Sequence, residues 1–179
     1  MDNRDMESLI SRIPNGDLEA LEGLYQDFYH AVYSYSLLLL RSKAQAEDNA
    51  QDVFMRIWAK GSTYRPGGSP NAWIMGITRN LAYDRLRRSA RETSIDSLPE
   101  DALISGHKSQ TQTIERIDLQ NALNTLDFED RQIVLLKAVA GLPAKDVSKL
   151  LDIPPSTVHW RYRRSLKLLA AIIPAGGVL

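Results

Sequence analysis

The sequence predicts an all-α protein of two small helical domains joined by a flexible acidic linker, the C-terminal one a helix-turn-helix domain. Three observations lead there. Apolar residues recur at helical spacing through most of the 179 residues, and no segment alternates as a strand would. That periodicity lapses over 92–112, ETSIDSLPEDALISGHKSQTQ, where Ser, Thr, Gln, Asp and Glu accumulate, the composition of a mobile tether. Residues 142–169 read as two helices around a short turn, the second of them basic. The expected boundaries are therefore 1–91, a linker at 92–112, and 113–179.

The elements follow in order. Asn15, Gly16 and Asp17 open a helix whose Leu18, Leu21, Leu24, Phe28, Val32 and Tyr35 recur at helical spacing. A second helix runs from about Ala44 to Lys60 and stops at Gly61. Ala50, Val53, Phe54, Ile57 and Trp58 form its buried stripe. Its other face carries Asp48, Gln51, Asp52 and Met55, and the like-charged Asp48 and Asp52 are partly offset by Arg56. This face is either a solvated acidic surface or a docking surface for a basic partner. Residues 62–70, dense in turn formers, make a shaped loop. The third helix, roughly Asn71 to Arg91, buries Ile74, Ile77 and Leu81 with Trp73 beside them. Opposite lie Arg79, Asn80, Tyr83 and Arg87, with Arg88 and Arg91 near the end. Guanidiniums, an amide and an aromatic ring together suit backbone phosphates and unstacked bases.

Beyond the linker, Ile114, Ile117, Leu119, Leu123 and Leu126 resume the helical pattern. Asp127 then caps a helix through Ile133, Val134 and Leu136 that ends near Gly141. Val147, Leu150 and Leu151 mark the next helix, Asp152-Ile153 the turn, and Pro154-Pro155 the start of the last helix. At 100° per residue, Val158, Tyr162, Leu166 and Leu169 fall on one side of that helix. Ser156, Trp160, Arg163, Arg164 and Lys167 fall on the other, flanked by His159 and Arg161. An apolar seam behind a basic, hydrogen-bonding face is what a helix needs to enter the major groove, although a solvated basic face has the same pattern.

The net charge is zero, but its distribution is not even. Residues 1–60 carry six basic and ten acidic side chains, 61–91 six and one, 92–130 two and nine, and 131–179 eight and two. Two basic blocks thus alternate with two acidic ones, offering two footprints for phosphate. Cysteine is absent, and His30, His107 and His159 are scattered, so no metal site or cofactor is expected. The N-terminus lacks the apolar core of a signal peptide, and Leu37–Leu40 is too short to span a bilayer. A cytoplasmic protein is expected. No carboxylate cluster, phosphate loop or nucleophile–base set suggests an enzyme.

Taken together, the segments resemble the extracytoplasmic-function (ECF) sigma factors of the sigma-70 family, over nearly all of 17–169. Residues 46–58, AEDNAQDVFMRIW, resemble the family's segment that docks on RNA polymerase. The run from Ala72 to Arg88 resembles its promoter-melting and minus-ten-reading segment, and 141–164 its minus-thirty-five-reading helix-turn-helix. There are departures. Asp152 replaces the usual turn Gly, a substitution that left-handed backbone tolerates, and Pro143 replaces a usual Ser cap. Lys145-Asp146 replaces an acidic pair, Trp160 a small polar residue and Leu166 a basic one.

The resemblance implies a dissociable initiation subunit without chemistry of its own. Its partners would be core RNA polymerase, promoter DNA and an anti-sigma factor, with no small-molecule substrate. It assigns Asp48, Gln51, Asp52 and Met55 to the polymerase, and Tyr64, Asn71, Arg79, Asn80, Tyr83, Arg87, Arg88 and Arg91 to the minus-ten element. Ser156, Thr157, His159, Trp160, Arg161, Arg163, Arg164 and Lys167 go to the minus-thirty-five element. A stand-alone helix-turn-helix regulator is the alternative, but it leaves the face from Arg79 to Arg91 unexplained.

Overall fold

The computed structural model describes residues 2–93 and 119–173, and every element among them is helix, turn or loop. The chain divides into two compact units, Met1–Ala102 and Leu103–Leu179. Most of the expected linker, together with Ile114 and Ile117, lies outside the described residues.

The first unit opens with a helix that the sequence pattern left unassigned, α1 (Asn3–Arg12), capped by the Asp2 carboxylate on the amides of Arg4 and Asp5. Met6 and Ile10 are its buried side, and a 3-10 turn at Ile13–Asn15 leads to Gly16 in left-handed geometry. Helix α2 (Leu18–Leu40) is capped by Asp17, whose carboxylate accepts from Ala20 N at 3.1 Å. Arg12 pairs with the same carboxylate at 2.7 Å. The Ala20 amide and then Arg12 hold the Asp17 pKa below its ordinary 3.8. Helix α3 (Lys43–Lys60) is capped by Ser42, and α4 (Pro70–Thr93) begins where Ser69 Oγ accepts from Ala72 N.

The core of this unit joins Leu24, Val32 and Tyr35 of α2 to Val53 and Ile57 of α3, Ile74 and Met75 of α4, and Ile10 and Ile13. Full burial of such side chains stabilises by about 1.5–3 kcal/mol each. Leu18, expected in the stripe, is 68% exposed at the start of α2. The buried line of α4 is Ile74, Met75, Thr78 and Ala82, rather than Ile74, Ile77 and Leu81. Because α4 packs against both α2 and α3, its buried face centres between two neighbours, leaving Ile77 and Leu81 half-buried on the flank.

That rotation brings Thr78 to a buried polar joint. Asn49 Nδ2 of α3 donates to Ser36 Oγ of α2 at 2.9 Å and to the Thr78 carbonyl of α4 at 3.3 Å. Ser36 in turn donates to the Val32 carbonyl, so one amide ties three helices together.

In the second unit, helical residues 119–124 (α5) precede α6 (Phe128–Val134), capped by Asp127 on Asp130 N at 2.8 Å. Arg131 donates to the carbonyls of Leu123, Asn124 and Leu126, satisfying the end of α5. Leu135–Val139 widens into a π-helical turn, and Gly141 reverses the chain at φ 66°. Helix α7 (Ala144–Leu151) starts at Pro143 without a side-chain cap. It ends at Asp152, with φ 54° and ψ 47°, so Asp does adopt the left-handed turn. Helix α8 (Pro155–Ile172) follows with Pro155 in its first position.

Ile133, Leu135, Leu136, Leu142, Val147, Val158 and Leu169 form this unit's core. The seam of α8 departs from expectation: Val158, Ser165 and Leu169 are buried, Tyr162 is half-buried, and Leu166 is 41% exposed. Positions 158, 162, 165 and 169 keep helical spacing, and the shift puts Ser165 rather than Leu166 against α6.

Candidate nucleic-acid interface

On α3 the expected division between faces holds except at Trp58, which is half-buried. Asp48, Gln51, Asp52 and Met55 are all exposed, Met55 at 68%, while Ala46, Asn49, Ala50, Val53, Phe54 and Ile57 are buried behind them. The counter-charge comes from an unexpected residue. Arg85 of α4 reaches Asp52 at 2.5 Å and Asp48 at 3.9 Å. Arg56 lies on the same helix, but Arg85 approaches from the neighbouring one and offsets both carboxylates.

The loop between α3 and α4 is shaped by specific contacts. After a 3-10 turn at Gly61–Thr63, Arg65–Gly68 closes on a hydrogen bond from Gly68 N to the Arg65 carbonyl. Gly67 sits at φ 80°, which a side chain would strain. The half-buried Tyr64 meets Trp73 edge-on, with ring centroids 5.5 Å apart. Its hydroxyl donates at 2.7 Å to Glu7 of α1, which also accepts from Gly67 N at 2.8 Å. Burial, then the bond to Glu7, pushes the Tyr64 phenol up, so it stays protonated. Asn71 is half-buried at the start of α4.

Along α4, Asn80, Arg87, Arg88 and Arg91 are exposed, and Arg79 and Tyr83 are half-buried. The Arg79 guanidinium lies over the Tyr83 ring, 5.7 Å from its centroid. The described residues of the loop and α4 thus share one unit, with arginines at the far end of the helix.

On α8, Ser156, His159, Trp160, Arg163, Arg164 and Lys167 are exposed and border one shallow concavity with Leu168. Trp160 is 61% exposed and lies beneath the Arg164 guanidinium. Thr157 is half-buried. Arg161 does not join this face. Its side chain pairs with Glu129, with Asp130 at 3.3 Å and with Asp127 at 3.9 Å, all at the start of α6. The expectation that it reaches outward gives way to an acidic helix start that attracts its guanidinium. Asp130 is 2% exposed, and Arg164 also reaches it, at 3.6 Å. Burial raises the Asp130 pKa, Asp127 adds to that, and the two arginines oppose it.

Glu7, Asn49, Arg85 and Asp130 escaped the sequence pattern. Asp2 before Met6 and Ile10 could have revealed α1, but no local spacing links Glu7 to a loop 57 residues on. Among the described residues no group of His, Asp or Glu could hold a metal, and no helix is long and apolar enough to cross a membrane.

Two family models match: "Sigma-70 region 2" over residues 24–92 and "Sigma-70, region 4" over 116–169. The ECF RNA polymerase sigma factor SigK of Mycobacterium sp. (strain KMS) is 25% identical, across 91% of this chain and 88% of its own. SigW of Bacillus subtilis (strain 168), also an ECF RNA polymerase sigma factor, is 24% identical across 89% and 92%. Two solved structures share the fold. CnrH, in complex with the cytosolic domain of CnrY, has a TM-score of 0.73 at 21% identity, covering 96% of this chain and 99% of CnrH. The sigma factor RpoE of Bartonella quintana, in complex with the anti-sigma factor NepR, has 0.74 at 24% identity, covering 87% and 97%. The two sigma-70 models, in order, span more than half of the chain, and the relatives cover nearly all of it. The chain belongs to the sigma-70 family and, within it, to the ECF group of RNA polymerase sigma factors.

Proposed function

We propose that this sigma factor binds core RNA polymerase through Asp48, Gln51, Asp52 and Met55 and brings two promoter-reading surfaces to the DNA. Residues 1–91 dock and melt, residues 92–112 tether, and residues 113–179 read the upstream element. The observation that carries this is the separation of chemistries: each face is exposed on a helix whose opposite side is buried. The acidic α3 face suits a basic partner. The loop 64–71 and Asn80 would hold a base flipped from the non-template strand near the minus-ten element, with Tyr83 as a stacking ring. Unstacking costs a few kcal/mol, so a preformed pocket favours the melted state. Arg79, Arg87, Arg88 and Arg91 would take adjacent phosphates.

Ser156, Thr157, His159, Trp160, Arg163, Arg164 and Lys167 would read the minus-thirty-five element, and Arg161 would hold the reading helix rather than touch DNA. The protein carries no catalytic step, needs no cofactor or small-molecule substrate, and acts in the cytoplasm. An anti-sigma factor holds it inactive, a reading supported by the RpoE relative, which was solved with one. In vitro transcription with core polymerase and a promoter library is the decisive experiment. Initiation from a defined subset of promoters is expected. Tight promoter binding without polymerase, and no transcription with it, would instead support a stand-alone regulator.

A further inference from the structure

We propose that Glu7 of α1 is a positioning residue for minus-ten recognition, fixing the 64–71 loop in the conformation that selects the base. The inference rests on the reading of that loop as a minus-ten determinant. One carboxylate oxygen, Glu7 Oε1, accepts from Tyr64 Oη at 2.7 Å and from Gly67 N at 2.8 Å. These two donors stand on either side of Pro66, so a single atom spans the turn. The turn needs such an anchor. Gly67 is in left-handed geometry and Gly68 N donates to the Arg65 carbonyl, and glycines lose more freedom on ordering than other residues. Hydrogen bonds to a charged acceptor are among the stronger ones available to hold it.

The anchor itself is held firmly. Met6, Ile10 and Ile13 are buried. A methyl on Gly23 of α2 would come within 3.1 Å of Leu9 Cδ1, and one on Gly61, at the loop's entrance, within 3.0 Å of Ile13 Cγ2. So α1 and the 3-10 turn after it fit closely against α2 and the end of α3, and Glu7 projects from a braced element. Edge-on contact with Trp73 holds Tyr64 on its other side. A loop fixed at Tyr64 and Gly67 presents one shape to a base, whereas a loosened loop admits several.

The test uses full-length protein in holoenzyme, scoring open-complex formation on promoters that differ at single minus-ten positions, beside amide exchange at Gly67 in the free protein. Glu7→Ala should speed Gly67 exchange and reduce discrimination between the preferred and next-best base by about tenfold, the scale of a lost charge-assisted hydrogen bond. Glu7→Gln, whose amide oxygen still accepts, should retain most of both. Tyr64→Phe removes one tether without touching α1 and should give a smaller loss, which keeps the test valid if Glu7→Ala folds poorly. Replacing residues 65–68 is the control for the loop itself. If that replacement shifts base preference while Glu7→Ala and Tyr64→Phe leave it unchanged, the Glu7 proposal is overturned. If loop replacement has no effect on preference, the minus-ten reading of the loop fails, and Glu7 is left as a structural brace.

Discussion

Replacing Arg161 by Ala separates a scaffold role from a DNA contact on α8. Arg161 is 22% exposed at its side chain and faces three carboxylates of the α6 start. Its pairs with Glu129 and Asp127 involve exposed partners and are worth about 0.2–1 kcal/mol each. Asp130 is different, because its side chain is 2% exposed. Removing a partner from a buried charge costs about 3–5 kcal/mol when nothing replaces it. Arg164, half exposed at 3.6 Å, remains beside Asp130 and reduces that cost. The net loss should be about 2–3 kcal/mol, which accelerates globally limited amide exchange in the second unit by about thirtyfold or more.

The measurement is hydrogen exchange over residues 119–173, with duplex binding and holoenzyme assays alongside. Arg163→Ala, a fully outward change, should leave exchange unaltered and weaken upstream recognition. If Arg161→Ala leaves exchange unaltered and reduces DNA recognition as Arg163→Ala does, the inward assignment is wrong. The pH dependence gives a second reading. The folded state binds the Asp130 proton more tightly than the unfolded state does, since the pKa is raised above 3.8. Stability of this unit should therefore rise as pH falls through Asp130's raised pKa towards 3.8, and Asp130→Asn should remove that rise.

Asn49→Asp places a carboxylate where the structure offers a carbonyl and a hydroxyl oxygen, and should cost more than about 3 kcal/mol in urea unfolding; a near-native midpoint would contradict the buried joint. Asp17, its pKa lowered by the Ala20 amide and Arg12, contributes stability that is complete above 3.8 and lost as pH falls through its folded value. Asp17→Asn should flatten that acid limb in thermal melts at graded pH. Asp48→Lys with Asp52→Lys should weaken the core polymerase complex by about tenfold or more, read by titration, while helicity is unchanged. Lys167→Ala should reduce the slope of log affinity against log salt by about 0.9 if it meets a phosphate; an unchanged slope would remove it from the contact set.

Most of the helices, α1 excepted, were legible because their signals are local. Asp17, Asp127 and Pro155 sit at helix starts, and Asp152 and Gly141 at stops, whereas the Ser42 cap of α3 is seen only in the structure. Exposure of Asp48, Gln51, Asp52 and Met55 followed from a stripe complete on its other side. Rotational detail was less legible. The α4 stripe shifted because two neighbours share that helix, and hydrophobicity alone does not mark Thr78 or Ser165 as buried. Partners distant in sequence were not legible at all. Arg85 with Asp52, Arg161 with Asp130, and Glu7 with Tyr64 are set by tertiary packing, and an arginine reads as a basic face until its carboxylate is located.

That last point changes how the charge blocks bear on function. The basic excess at 61–91 includes Arg85, which is engaged by Asp48 and Asp52. The excess at 131–179 includes Arg131, which donates to three carbonyls, and Arg161, which meets three carboxylates. Under the proposed assignment, exposed charge for phosphate then rests chiefly on Arg87, Arg88 and Arg91 in one unit and on Arg163, Lys167 and the shared Arg164 in the other. Three such exposed contacts per unit, with the half-buried Arg79 a fourth in the first, give only modest affinity at physiological salt, because each released counterion contributes little alone. Two such weak surfaces become selective when joined at high effective concentration. Under the same proposal, core polymerase would supply that joining by holding both units on one promoter, and the arginines kept inside the fold would limit binding to free DNA, so that recognition would depend on the holoenzyme.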